Sequence, residues 1–312
     1  MKKIKDLVNK NYKVVIGIII GITISIVIGV SAVATKDITY DNSKSGLTST
    51  NLQGAIDELN TKATTKINEA KNECPNGYNC IKMSFASDSW STIAANVKAG
   101  KGTGYIVGDT KTVDMGSLGT HTVRVANTSS CINGETSQTA CGFVVEFADI
   151  ITTHVMNSSA TNVGGWPASE MRSYVNSTIY SALPSDLQNV IASTTVVSSH
   201  GSTSGEGNFT STDKLYLLST KEVWGKEGTS NTISNDTAEA ETRQLDYYKN
   251  KGVTTSNYSG AIKQNNGSNS YWWLRSAYSN SAYSFFGVYY RGDWRYGYAN
   301  STDGVSPAFR IA

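Results

Sequence analysis

The sequence predicts an α+β domain over residues 81–312, and three observations carry that expectation. Met171, Val175, Ile179 and Leu183 recur every four residues and stop at Pro184, which gives one amphipathic helix over Trp166–Leu183. The runs Phe143–Phe147, Leu215–Leu218 and Tyr271–Ser276 are rich in apolar residues, short and strand-like in length. Helices and strands are segregated and joined by long irregular connections, unlike the alternation of βαβ units.

Ahead of that domain the chain reads as an export and anchoring device. Residues 1–13 carry Lys2, Lys3, Lys5, Lys10 and Lys13 against Asp6, a basic tail for the cytoplasmic side. Residues 14–34 are an uncharged run rich in Ile, Val and Gly, about the 20 residues a helix needs to cross a bilayer. The rival is a cleaved signal peptide, because Ala32-Val33-Ala34 has a cleavage-like spacing of small residues. Either reading places the rest of the chain outside the cell, with the uncleaved transmembrane anchor preferred for its length. Composition agrees: charged residues are 17% and the net charge is +2, which excludes an electrostatic footprint for nucleic acid.

Residues 35–80 read as a stalk. Thr50-Asn51-Leu52-Gln53 has the form of a capping box, and Leu52, Ile56, Leu59, Ala63, Ile67 and Ala70 trace one seam on a helix from Asn51 to Lys71. A seam this narrow takes a partner, either the domain's own surface or sister chains in a homo-oligomer. Tyr40–Leu47 with Ala55–Leu59 resembles a short module found beside coiled coils in tail-fibre and bacterial surface proteins. The cysteines form two close pairs, Cys74 with Cys80 and Cys131 with Cys141, which read as disulfides of an oxidising compartment.

Within the domain, Ser89–Lys98 is expected as a first helix, capped by Asp88, with Trp90, Ile93 and Val97 inward and Gly100 as its stop. Tyr105–Val107 and Thr120–Val125 read as strands, and Phe143–Phe147 follows the Cys131–Cys141 loop. Pro167 suits the first turn of the Trp166–Leu183 helix. Ser185 caps a second helix that buries Leu187, Val190 and Ile191. Asp236–Lys251 is expected as a surface helix, with Glu239 and Glu241 early, Lys249 and Lys251 late, and Gly252 at its end. Gly100, Gly102 and Gly104 around Lys101 lack the spacing of a phosphate loop.

The C-terminal stretch says most about function. Tyr271–Ser276 and Gly304–Ala312 alternate as half-buried strands do, while Tyr278–Asp303 is built almost wholly of Tyr, Ser, Asn, Phe, Arg, Asp and Gly. Roughly a third of that insert is aromatic and no apolar period survives in it, so it is expected to lie outside the core. Tyr among small polar residues is the composition of antigen-binding loops. Its ring gives large amphipathic contact area at small rotamer cost.

The segment resembles the variable region of target proteins diversified by retroelements, and Gly304–Ala312 is similar to the fixed tail that closes such regions. In that family adenines of a template copy are randomised, so Asn codons become Tyr, Ser, Asp, Phe, Arg or Gly. Ser279, Asn280, Ser281, Tyr283, Ser284, Phe285, Tyr289, Tyr290, Arg291, Asp293, Arg295, Tyr296, Tyr298, Asn300 and Ser301 all fall within that reachable set. With Tyr278, the resemblance makes these the ligand-binding residues of a variable region at 276–303. Trp294 lies outside the set and would be scaffold. The blocks Trp166–Arg172, Thr212–Trp224, Tyr271–Ser276 and Gly304–Ile311 resemble a surface-protein domain of C-type lectin fold, in the branch that holds the formylglycine-generating enzymes. The resemblance implies a rigid scaffold displaying the varied residues on one face.

It does not bring an activity with it. Formylglycine formation needs a reactive Cys pair with copper, and the Cys residues here precede the four blocks and pair locally. His121, His154 and His200 are too scattered for a metal cluster. The elbow-like Gly201–Gly205 has Thr203 where a nucleophilic Ser is required. Asp293-Trp294-Arg295 lacks the acidic and Asn cluster of calcium-dependent sugar binding. The expectation is therefore a membrane-anchored binding protein, not an enzyme, with no cofactor, no metal and no nucleic acid, and with a protein or glycan as ligand. The alternatives are an adhesin or envelope protein of fixed specificity, and an exported oxidase of the formylglycine-generating type.

Overall fold

The computed structural model describes residues 38, 39, 41, 43, 47–72, 83–132, 134–202, 205–225 and 233–312. The expected basic tail and membrane span over residues 1–34, and the Cys74 and Cys80 pair, lie outside the described residues. Among the described residues, no helix is long and apolar enough to cross a membrane. The chain divides into two units, Met1–Lys82 and Met83–Ala312.

In the first unit, helix α1 (Leu52–Asn72) begins one residue later than a capping box at Thr50 would place it. Asn51 is the cap: its Oδ1 accepts the Gly54 N–H at 2.8 Å. Glu58 Oε2 then gathers the N–H and hydroxyl donors of Thr48 and Ser49 at 2.8–3.1 Å, which straps the incoming chain to the helix. On the expected seam Ile56 and Leu59 remain exposed, at 37% and 38%.

The second unit is α+β. Its strands are β1 (Thr110–Asp114), β2 (Thr120–Asn127), β3 (Phe143–Phe147), β4 (Thr152–His154), β5 (Thr194–Ser198), β6 (Phe209–Asp213) and β7 (Lys263–Asn265). They continue with β8 (Ser268–Ser270), β9 (Trp272–Ala277), β10 (Ser284–Val288), β11 (Trp294–Tyr298), β12 (Asp303–Val305) and β13 (Ala308–Ile311). One sheet runs β1-β2-β3-β13 and the other β11-β10-β9-β12-β4, with β5–β6 and β7–β8 as separate hairpins. Strands β3, β9 and β10 are buried along their whole length, so they occupy the middle of the fold. One apolar cluster joins Trp90, Val125, Val145, Phe147, Trp272, Trp273, Phe285 and Phe309.

Buried charge in this core is paired. Glu146 on β3 accepts from Arg124 Nε at 2.9 Å and from Lys263 Nζ at 2.8 Å, and the Tyr248 hydroxyl donates to it at 2.8 Å. Arg275 on β9 forms a two-pronged bridge to Glu222, both contacts at 2.6 Å. Each carboxylate thus has donors in place of the water it lost on burial.

Several elements differ from the sequence expectation, each for a local reason. Ser89, not Asp88, caps helix α2 (Trp90–Lys98), because Asp88 is taken by the Tyr105 hydroxyl at 2.8 Å. Tyr105–Val107 is not a strand; it follows a 3₁₀ turn, and the strand begins at Thr110. The Trp166–Leu183 helix is broken: Ser169 recaps it before Glu170–Tyr174, and Val175–Ile179 forms a π turn. Its spacing was nonetheless legible, since Met171, Val175, Ile179 and Leu183 are all buried. Leu215–Leu218 makes only an isolated bridge, Tyr216 to Ala308, and the Asn176 side chain takes the Leu215 N–H and C=O, which face the other way, at 3.0 and 2.9 Å. Asp236–Lys251 is not one helix. Asp236 is buried under the hydroxyls of Thr220 and Ser276, and only Asp246–Asn250 is α-helical. The 278–303 insert is not wholly peripheral either, as β10 lies in the core.

Candidate functional site

The C-terminal insert folds as the β10–β11 hairpin beside β9. The register is unbroken from Ser284 opposite Tyr298 to Val288 opposite Trp294. The turn closes with Tyr289 N–H to Asp293 O at 2.7 Å, and Gly292 sits there at φ 97. A Cβ at Gly292 would lie 2.1 Å from Tyr258 O, so a larger residue cannot hold this turn. Glycine has a second use on β11. A Cβ at Gly297 would lie 2.9 Å from Trp273 Cη2, so the bare backbone there makes room for the buried indole.

Alternation along the hairpin sorts its rings into two groups. Trp294, Tyr296 and Tyr298 share one face with Phe286. Tyr278 stacks on Tyr296 with centroids 4.5 Å apart and planes 6° from parallel, and meets Phe286 edge-on at 5.2 Å. Trp294 continues the row at 6.5 Å from Tyr296. The second group gathers at the hairpin turn. Tyr271, Tyr289 and Tyr290 pack with centroids 4.5–5.7 Å apart, Arg291 lies 4.8 Å over Tyr289, and Arg295 lies 4.4 Å over Tyr271.

Charges at the turn are held in place. Arg295 donates to Asp303 at 2.8 Å, and burial nevertheless keeps the Asp303 carboxyl above its usual range. Arg291 donates to Asp293 at 3.3 Å, and that contact holds its guanidinium pKa above the usual value. A hydrogen bond with Tyr289 raises the Tyr271 hydroxyl. The loop from Tyr278 to Ser284 hangs on one buried side chain. Asn162 Nδ2 lies 3.1, 2.7 and 2.9 Å from the carbonyls of Tyr278, Ser281 and Ser284.

Of the residues expected to bind, Asn280, Tyr283, Tyr290, Arg291, Tyr296, Tyr298 and Asn300 are exposed. Tyr278, Ser279, Ser281, Tyr289, Asp293, Arg295 and Ser301 are half-buried. Ser284 and Phe285 are in the core, at 2% and 0% exposure, because they lie on the central strand β10; solvent cannot reach them. Tyr271, Trp294 and Asn162 belong to the site without having been expected there. Tyr271 was legible as part of the aromatic stretch, whereas nothing local marks Asn162. The Cys131–Cys141 disulfide is formed. Among the described residues, no three His, Cys, Asp or Glu side chains converge as metal ligands. The arrangement offers ring faces, hydroxyls and guanidinium groups to solvent.

Residues 144–312 match a family described as a domain of unknown function, DUF6273. Searches of curated proteins and of solved structures returned no match.

Proposed function

The chain belongs to the DUF6273 family, and from that premise we propose that residues 276–303 are the ligand-binding face of an exported, membrane-anchored surface protein. The domain would be C-type-lectin-like, the ligand a protein or glycan, and the face diversified by a retroelement. The observation that carries this reading is the exposure of four tyrosines on one short hairpin and its flanks. Tyr283, Tyr290, Tyr296 and Tyr298 are 56%, 38%, 50% and 62% exposed, on a frame whose strands β9 and β10 are fully buried. Rigid strands lower the ordering cost that such rings would meet on a floppy loop. Binding rather than turnover is the activity, with no cofactor required.

The second reading, an adhesin of fixed specificity, draws support from Ser284 and Phe285. Both lie in the reachable codon set, yet both are buried, and core positions tolerate randomisation poorly. DNA beside the gene separates the two. A near-copy of the Ser276–Ala312 coding segment, differing almost only at adenines, is expected; without it diversification falls and the fixed adhesin stands.

A further inference from the structure

We infer that strand β11 is a docking edge for an extended segment of a partner protein, which adds to the sheet as a sixth strand beside Trp294, Tyr296 and Tyr298. The inference rests on the binding-face reading above and names the ligand as polypeptide. The backbone dictates it. Tyr289 N–H bonds Asp293 O and Ala299 N–H bonds Tyr283 O, so the hydrogen-bonded pairs across the hairpin fall at odd positions. Arg295 and Gly297 therefore turn their N–H and C=O inward to β10. Trp294 and Tyr296 turn theirs outward, and no described residue bonds them there.

The other edges of the two larger sheets are closed or guarded. The outer side of β13 is closed by Tyr216, which exchanges two bonds with Ala308 at 2.8 and 3.0 Å, and by Ala192 N–H to Arg310 O. Strand β1 carries Lys111 and Asp114, charges of the kind that repel an incoming strand. Strand β4 has three residues, and the His154 ring there is stacked on Tyr174 at 4.1 Å. Strand β11 lacks these devices from Trp294 to Gly297, and its outward edge is closed at the far end, where Tyr298 O accepts the Ser301 N–H at 2.9 Å. It is five residues long, free of Pro and Lys, unbroken in register, and its one charge, Arg295, is tied to Asp303. Free main-chain donors and acceptors recognise another main chain, and Trp294, Tyr296 and Tyr298 would grip alternate side chains of the added strand.

The test uses the full-length protein and a phage-displayed library of random linear 12-residue peptides. Selected peptides are remade with single N-methyl groups at successive positions. Strand addition predicts a period of two: methylation lowers affinity about tenfold or more at residues facing β11 and has little effect at those facing away. Amide exchange at Trp294 and Tyr296 should slow on binding, while Arg295 and Gly297, already bonded inward, stay as they were. Tyr296→Pro, which removes one outward N–H, should weaken binding more than Tyr296→Ala. Peptides that need the Tyr296 and Tyr298 rings but show neither the period nor the amide protection would overturn strand addition and leave the aromatic face standing as a site. Peptides indifferent to both rings and edge would overturn both readings. Failure to select a β11-dependent peptide, or sedimentation of the free protein as a dimer abolished by Tyr296→Pro, would also overturn the inference, the dimer by making a second copy the occupant.

Discussion

Asn162→Ala should unfasten the Tyr278–Ser284 loop from the frame. The side chain is fully buried and its Nδ2 lies within 3.1 Å of three carbonyls, those of Tyr278, Ser281 and Ser284. An amide nitrogen carries two hydrogens, so two bonds at full strength are the fair count. Tyr278 O keeps the Ser281 N–H at 3.3 Å and Ser284 O keeps the Tyr278 N–H at 3.0 Å, so the change leaves the Ser281 carbonyl without a donor, at about 1–2 kcal/mol, and costs one ordinary bond, at about 0.5–1 kcal/mol, about 1.5–3 kcal/mol together. Asn162 Oδ1 has no partner and contributes nothing to the loss, and the Asn162 N–H to Ala282 O bond survives the change. Urea denaturation of the full-length protein reads the stability, and amide exchange over Tyr278–Ser284 reads the loop. Faster exchange confined to that loop, with the stacked Tyr278–Tyr296 pair loosened, is the expected pattern. A loss below about 0.5 kcal/mol with unchanged exchange would refute the reasoning.

Two further outcomes concern the core. Trp272→Ala removes a fully buried indole that also donates to Ala261 O at 3.1 Å, and should cost about 3–5 kcal/mol in the same urea assay. Burial holds the Lys263 ammonium down at about 8 against a usual 10.5, despite the pull of Glu146. Between those values the unfolded chain keeps a proton the folded chain has lost, so this group's contribution to stability grows as pH rises from about 8 towards 10.5. Measured against Lys263→Met, the parent should gain relative stability over that window; a flat or falling difference would contradict the sign.

What the sequence made legible were features written locally. The four-residue spacing of Met171 to Leu183 marked a buried face, and the runs at Phe143 and Trp272 marked strands, although Trp272–Ala277 is buried on both faces where a half-buried strand was expected. Elements decided by distant side chains were not legible. The Asn176 side chain, not a neighbouring strand, takes the Leu215 N–H and C=O, and the Thr220 and Ser276 hydroxyls draw Asp236 inward where a surface helix was expected. The candidate site shows the same division. Its tyrosines stood out by composition, but β10 was hidden within it. Ser284-Phe285-Phe286-Gly287-Val288 is too short a run to register against its polar neighbours, and only pairing on both sides makes it a core strand.

Under the proposed function the exposed tyrosines of the hairpin and its flank grip a ligand. The decisive variant replaces Tyr283, Tyr296 and Tyr298 together by Ser, with parent and variant screened against a glycan array and the displayed peptide library. The claim predicts that ligands of the parent lose about 100-fold or more in affinity, the scale of hot-spot rings, while Tm moves by no more than about 2 °C. Undiminished binding, or a variant that melts far below the parent, would contradict it.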